Sequence, residues 1–168
     1  MRAPTSLFAA ALFVCGLAVA QTQSTKIYDD SPGRSARPRL TTASSQLSYL
    51  KKRDAEFTAV EKEQFHSLYE NIAEGDEPPY PIEGLEPIIR QISTRLAGKV
   101  ADGEYQIILR VSADGEVKSV RLLKQPSVED AKLIAYFLVS TKYKSALCKG
   151  TPCTMDFLFI TDFTNSNY

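Results

Sequence analysis

The spacing of apolar residues changes several times along the chain, and each change marks an element. Leu85, Ile88, Ile89, Ile92 and Leu96 fall at i, i+3, i+4, i+7 and i+11, which predicts an amphipathic helix. Pro87 fits there only within the first turn, and Ala97-Gly98-Lys99 ends the helix. Tyr105, Ile107, Leu109 and Val111 then alternate with Gln106, Arg110 and Ser112, the pattern of a half-buried strand. Asp114-Gly115 favours a tight hairpin turn, and the return strand carries Val117, Val120 and Leu122. The slip of phase between them predicts a bulge near Lys118-Ser119. Pro126-Ser127 leads into a second helix with Ala131, Ile134, Ala135 and Leu138 on one face and Glu129 and Asp130 in its first turn. Met155, Phe157, Phe159, Thr161 and Phe163 finally alternate with Asp156, Leu158, Ile160 and Asp162 as a last strand. The order from Tyr80 onward is helix, strand, strand, helix, strand, which is an α+β arrangement.

Upstream the pattern is helical, then absent. Leu47, Leu50 and Phe57 suggest a short helix over about 45–56. Thr58-Ala59-Val60-Glu61 reads as a capping box, and the stripe Phe65, Leu68, Tyr69, Ile72 continues a second helix until Gly75. Residues 45–77 therefore form a helical segment, whose Lys51, Lys52, Arg53, Asp54, Glu56, Glu61, Lys62 and Glu63 make a solvated face. His66 sits beside the apolar stripe, where solvent exposure is the plain expectation. Glu77-Pro78-Pro79-Tyr80-Pro81 forces an extended segment and separates 45–77 from a domain over 78–168. Residues 21–44 are polar and without periodicity, and read as a flexible leader.

Residues 1–20 stand apart. Arg2 precedes the apolar run Leu7–Ala20, and Ala18-Val19-Ala20 provides a small-residue cleavage site before Gln21. This is the form of a secretory signal peptide. An uncleaved anchor, or a lipoprotein attached at Cys15, are the alternatives. After Gln21 no run is long or apolar enough to span a bilayer. The expected location is outside the cytoplasm.

Composition narrows the chemistry. The chain has 168 residues, with 20 Lys+Arg against 20 Asp+Glu, which argues against a polybasic nucleic-acid binder. One His and three Cys leave little for a zinc site. Cys148 and Cys153 flank Lys149-Gly150-Thr151-Pro152, and in an oxidising compartment they pair most simply as a structural disulfide. There is no GxSxG, no HExxH and no phosphate-binding glycine loop. Glu83/Glu86 and Asp114/Glu116 are acid pairs beside turns or helix starts, where acids serve local structure. The expectation is a binding protein and not an enzyme, without cofactor or metal.

Several segments together resemble the C-terminal domain of TonB and its relatives. They are Pro79-Tyr80-Pro81 ahead of a helix, Gly103-Glu104-Tyr105-Gln106-Ile107-Ile108-Leu109-Arg110-Val111 running into Asp114-Gly115-Glu116-Val117, and Val120-Arg121-Leu122-Leu123 through Pro126. Tyr143-Lys144-Ser145-Ala146 through Gly150-Thr151-Pro152 to the last strand completes the set, over about Pro78–Phe163. Gly84-Leu85 and Ser145 depart from the usual residues, and no long proline-rich spacer precedes the domain. The resemblance implies a small three-stranded antiparallel sheet with two helices packed on it, in the order αββαβ. It also implies a periplasmic module that pairs with an extended protein segment, such as part of an outer-membrane receptor, at its sheet edge. The residues so implied are Tyr80, Pro81, Leu158, Ile160 and Asp162. Leu158 and Ile160 need a cover, which the N-terminal helices, a second protomer or a partner could supply. The alternative role is an envelope structural or assembly protein with the same fold and no energy coupling.

Overall fold

The computed structural model describes residues 36–39 and 48–164, which belong to one compact unit. The signal peptide read over 1–20 and most of the leader lie outside the described residues. The elements run in this order: strand β1 (Arg37–Pro38), two short 3-10 turns (Ser48–Lys51 and Asp54–Glu56), helix α1 (Ala59–Ser67), β2 (Tyr69–Glu70), β3 (Tyr80–Pro81), α2 (Glu86–Leu96), β4 (Gly103–Val111), β5 (Val117–Lys124), α3 (Val128–Val139), β6 (Tyr143–Lys144), β7 (Ala146–Cys148), β8 (Thr151–Cys153) and β9 (Met155–Phe163). The class is mixed α+β, as the spacing predicts.

The main sheet is antiparallel with the order β5-β4-β9, so β9 is an end strand among the described residues. Three two-residue or three-residue pairs, β1–β2, β3–β6 and β7–β8, surround it. Val111 pairs with Val117 and Arg110 with Ser119, so Lys118 is the extra residue of the predicted bulge. A second irregularity falls between Gln106 and Ile107, which the apolar spacing does not announce.

The two longer helices follow their stripes. Ile88, Ile92 and Leu96 of α2 are buried, and Pro87 lies in its first turn. Ser127 caps α3 by accepting from the Asp130 amide at 3.3 Å, and Ala131, Ile134, Ala135 and Leu138 are buried. Both helices contribute to one core with Tyr105, Ile107, Leu109 and Val111 of β4 and Met155, Phe157 and Phe159 of β9.

The segment before the prolines is less helical than its spacing suggests. The capping box at Thr58 forms, with Glu61 returning to the Thr58 amide at 2.9 Å. The helix nevertheless stops at Ser67, because Tyr69 turns extended to pair with Pro38 and buries its ring against Phe65. The predicted helix over 45–56 is replaced, from Ser48 onward, by the two 3-10 turns. Within the expected leader, Ala36 and Pro38 are buried and Arg37–Pro38 form a strand. Proline suits such a position, since an outermost strand has no need of its missing N–H. Leu50, Phe57, Phe65 and Tyr69 share the core of the rest, so this segment is part of the packed domain.

Candidate functional site

Strand β9 offers two different side-chain faces and, among the described residues, one edge without a ladder partner. Met155, Phe157 and Phe159 point into the core, and Asp156, Leu158, Ile160 and Asp162 point away from it. On that outer face Ile108 of β4 stands opposite Leu158, and Ile108 and Ile160 are buried outside the main core. Leu158 is half-buried and Asp162 exposed. Among the described residues, β9 forms its ladder with β4 alone.

Charge on the outer face is paired across the sheet. Arg110 Nε donates to Asp156 Oδ1 at 3.0 Å, and Arg121 of β5 approaches the other oxygen at 3.9 Å. Asp162 stands directly opposite Glu104, a like-charge pairing that costs stability unless a cation intervenes. Glu104 is engaged by Gln106 and, at 3.0 Å, by Lys124, and these contacts hold its carboxyl below the usual range. The Asp156–Arg110–Arg121 row was missed in the sequence. The only available sign was that Asp156 and Arg110 share the off-phase of their strands.

The edge itself is flanked by the N-terminal segment. A cavity of about 20 Å³ is lined by Pro38, Arg39, Leu68 and Tyr69 on one side and Phe157 and Leu158 on the other. Successive strand residues point to opposite faces, so a cavity touching both Phe157 and Leu158 straddles the edge. Tyr69 is close enough to Asp156 for that carboxylate to add to the effect of burial, which pushes the phenol well above its ordinary value. The described cover at this point therefore comes from the chain itself.

Tyr80 and Pro81, expected beside a partner, are core residues. Both side chains are fully buried, and the pair ladders with Tyr143 and Lys144 of β6. The Tyr80 ring packs edge-on against Phe57 and Phe65, each at 5.2 Å, and against Phe157 at 6.1 Å. Such aromatic pairs contribute about 0.5–1.5 kcal/mol beyond area burial. The structure thus brings Tyr80 to β9 by packing, with no side chain offered outward.

Behind β6, Lys144 Nζ donates to Asp54 Oδ2 at 2.8 Å and to Glu77 Oε2 at 2.6 Å. Burial works to lower the Lys144 pKa, and the two carboxylate hydrogen bonds outweigh it, so the net shift is upward. A cavity of about 190 Å³ opens beside this clasp, and His66 is half-buried in its wall, not fully exposed as expected. Cys148 and Cys153 form the disulfide, with Cα atoms 5.8 Å apart, closing the β7–β8 hairpin. That hairpin is tied back by Lys149, whose amide donates to Asp76 Oδ1 at 2.9 Å, and by the Glu77–Leu147 bridge.

Among the described residues no three His, Cys, Asp or Glu side chains are placed to hold a metal ion, and no helix is long and apolar enough to cross a membrane. What the β9 region can do chemically is to pair backbone N–H and C=O groups with another extended chain. No family model matches the chain, and no curated protein matches it in sequence.

Proposed function

We propose that this chain is an exported, periplasmic protein-binding module of the TonB C-terminal type, which recognises an extended segment of a partner by strand pairing at β9. The observation that carries the reading is the position of β9: an end strand whose described ladder runs to β4 only. The order α2, β4, β5, α3, β9 around one three-stranded antiparallel sheet supports the resemblance seen in the residues. The opposite edge is a poorer candidate. Strand β5 carries Lys118, Arg121 and Lys124, the kind of charge that discourages edge pairing. Leu158 and Asp162 supply alternate outward side chains for selectivity on β9, with Ile160 between them on the same face.

A phage-displayed library of extended heptapeptides, screened against the full chain, tests this reading. Selected peptides are expected to shift the backbone amide resonances of residues 157–163 in a ¹⁵N-labelled sample. Shifts confined to α3 or to the β7–β8 hairpin would overturn it.

A second reading, an envelope assembly protein on the same fold, is favoured by α3. Leu133, Tyr136 and Val139 are exposed on its outward side, Tyr136 by 70%. A helix apolar on both sides suits a stable protein contact. Sedimentation of the purified chain separates the two, since this reading requires self-association or a constitutive partner.

A further inference from the structure

We propose that the segment Ala36–Arg39 is a removable placeholder on the β9 edge, vacated when a partner's extended segment arrives. This rests on the reading of β9 as the recognition edge and names how that edge is regulated.

The placeholder occupies the edge without using its hydrogen-bonding capacity. Pro38 and Arg39 share the edge-straddling cavity with Phe157 and Leu158. Yet β1 ladders with β2, and no described backbone hydrogen bond joins it to β9. Pro38 has no N–H to donate there in any case. An incoming strand with free amides gains what the placeholder forgoes, and each such hydrogen bond is worth about 0.5–1.5 kcal/mol net.

The placeholder is also weakly held. Its ladder is two residues long, Arg37 opposite Glu70 and Pro38 opposite Tyr69, extended by one bond from the Arg39 amide to the Leu68 carbonyl at 2.6 Å. A two-stranded piece of this size has little independent stability. Only Ala36 and Pro38 are buried within it. Tyr69, Phe65 and Leu50 have other neighbours in the core, Phe65 packing edge-on against both Tyr69 and Tyr80, so lifting the four residues leaves them partners within the rest of the chain.

Its chemistry indicates the class of the partner. Arg37 and Arg39 flank Pro38, and although Asp156 is already paired with Arg110 and Arg121, the exposed Asp162 of β9 stands opposite Glu104, so this end of the sheet carries acid that a cation would offset. The matching partner is an extended segment of similar character, short and basic, with amides free to ladder.

Hydrogen–deuterium exchange of the full chain tests the placeholder without any partner. In the Ala36→Glu/Pro38→Asp double variant, the β9 amides not bonded to β4 are expected to exchange at least about tenfold faster than in the parent, a change of about 1.4 kcal/mol in opening free energy. Amides within β4 and β5 are expected to stay unchanged. A synthetic peptide with the sequence of residues 33–42 is expected to restore the protection. Should the double variant not fold, Pro38→Ser provides the same comparison in a milder form. Unchanged β9 exchange in a folded variant overturns the placeholder, even if library peptides still bind at 157–163, in which case the recognition reading stands alone. Faster exchange with no library peptide binding even the opened variant overturns the exchange, and leaves Ala36–Arg39 as a permanent cover.

Discussion

The hydroxyl of Tyr80 donates to the carbonyl of Leu50, thirty residues upstream, and this buried bond ties the N-terminal segment to the proline-rich entry of the domain. The same carbonyl also accepts from the Leu85 amide at 3.1 Å, so it keeps a partner when the hydroxyl is removed. Tyr80→Phe should therefore cost about 1 kcal/mol, the net worth of one hydrogen bond. Tyr80→Ala also empties the space among Phe57, Phe65 and Phe157, and should cost about 3–5 kcal/mol. Urea midpoints measure both. A Tyr80→Phe variant that kept full stability and lost peptide binding would contradict the structural role assigned to this residue.

The Cys148–Cys153 disulfide closes a loop with a sequence separation of 5. On the chain-entropy estimate so short a loop contributes about 2 kcal/mol. Reduction by dithiothreitol should lower the melting temperature of the parent and leave a Cys148→Ser/Cys153→Ser variant unaffected. Because Lys149 and Leu147 hold Asp76 and Glu77, the exchange protection that falls with reduction should include the Glu77 amide. Loss confined to the hairpin would show that the Glu77–Leu147 bridge survives without the disulfide.

Elements whose stripes face one core were legible in the spacing. Ile88, Ile92 and Leu96 made α2 readable, and the alternation of Met155, Phe157 and Phe159 made β9 readable, because local period and final burial agree. The end of α1 was not legible. Leu68 and Tyr69 continue a helical stripe, yet Tyr69 leaves the helix to pair with Pro38, a contact set by a residue 31 positions earlier. Ala36 and Pro38 gave no signal, since a two-residue strand in a polar stretch has no period. The clasp of Lys144 with Asp54 and Glu77 joins residues 90 and 67 positions apart, and each looked like one charge among many. The candidate site was legible as a strand with an apolar second face. Its cover by Pro38 and Arg39 of the polar leader was not, and neither was the complete burial of Tyr80 and Pro81.

Glu104 makes the acid limb of stability testable. Its carboxyl is held below the usual range first by the Gln106 hydrogen bond and then by Lys124. A carboxylate lowered on folding contributes stability that is fully present above its unfolded value, about 4.3, and is lost as pH falls through the lowered one. Glu104→Gln should therefore be less stable than the parent near neutrality, and the difference should shrink as the pH falls through the lowered value of the Glu104 carboxyl. Urea midpoints at several pH values check this. A constant difference across the range would mean that packing, not charge, accounts for the effect.

Gly115 is the turn residue with the least freedom to change. Its φ is +75°, and a Cβ there would run into the carbonyl oxygen of Tyr143. That oxygen cannot step aside easily, because Tyr143 is laddered to Pro81 and its own amide donates to the Gly115 carbonyl at 3.2 Å. Gly115→Ala thus combines left-handed backbone strain of about 1–2 kcal/mol with overpacking of about 1–3 kcal/mol. The expected loss is about 2–5 kcal/mol, read from urea unfolding. Asp114 beside it is exposed, and Asp114→Ser should move the midpoint little, by about 0.5 kcal/mol or less. If Gly115→Ala were as mild as Asp114→Ser, the β4–β5 turn would not be seated against β6, and the packing that orders the approach to β9 would have to be redrawn.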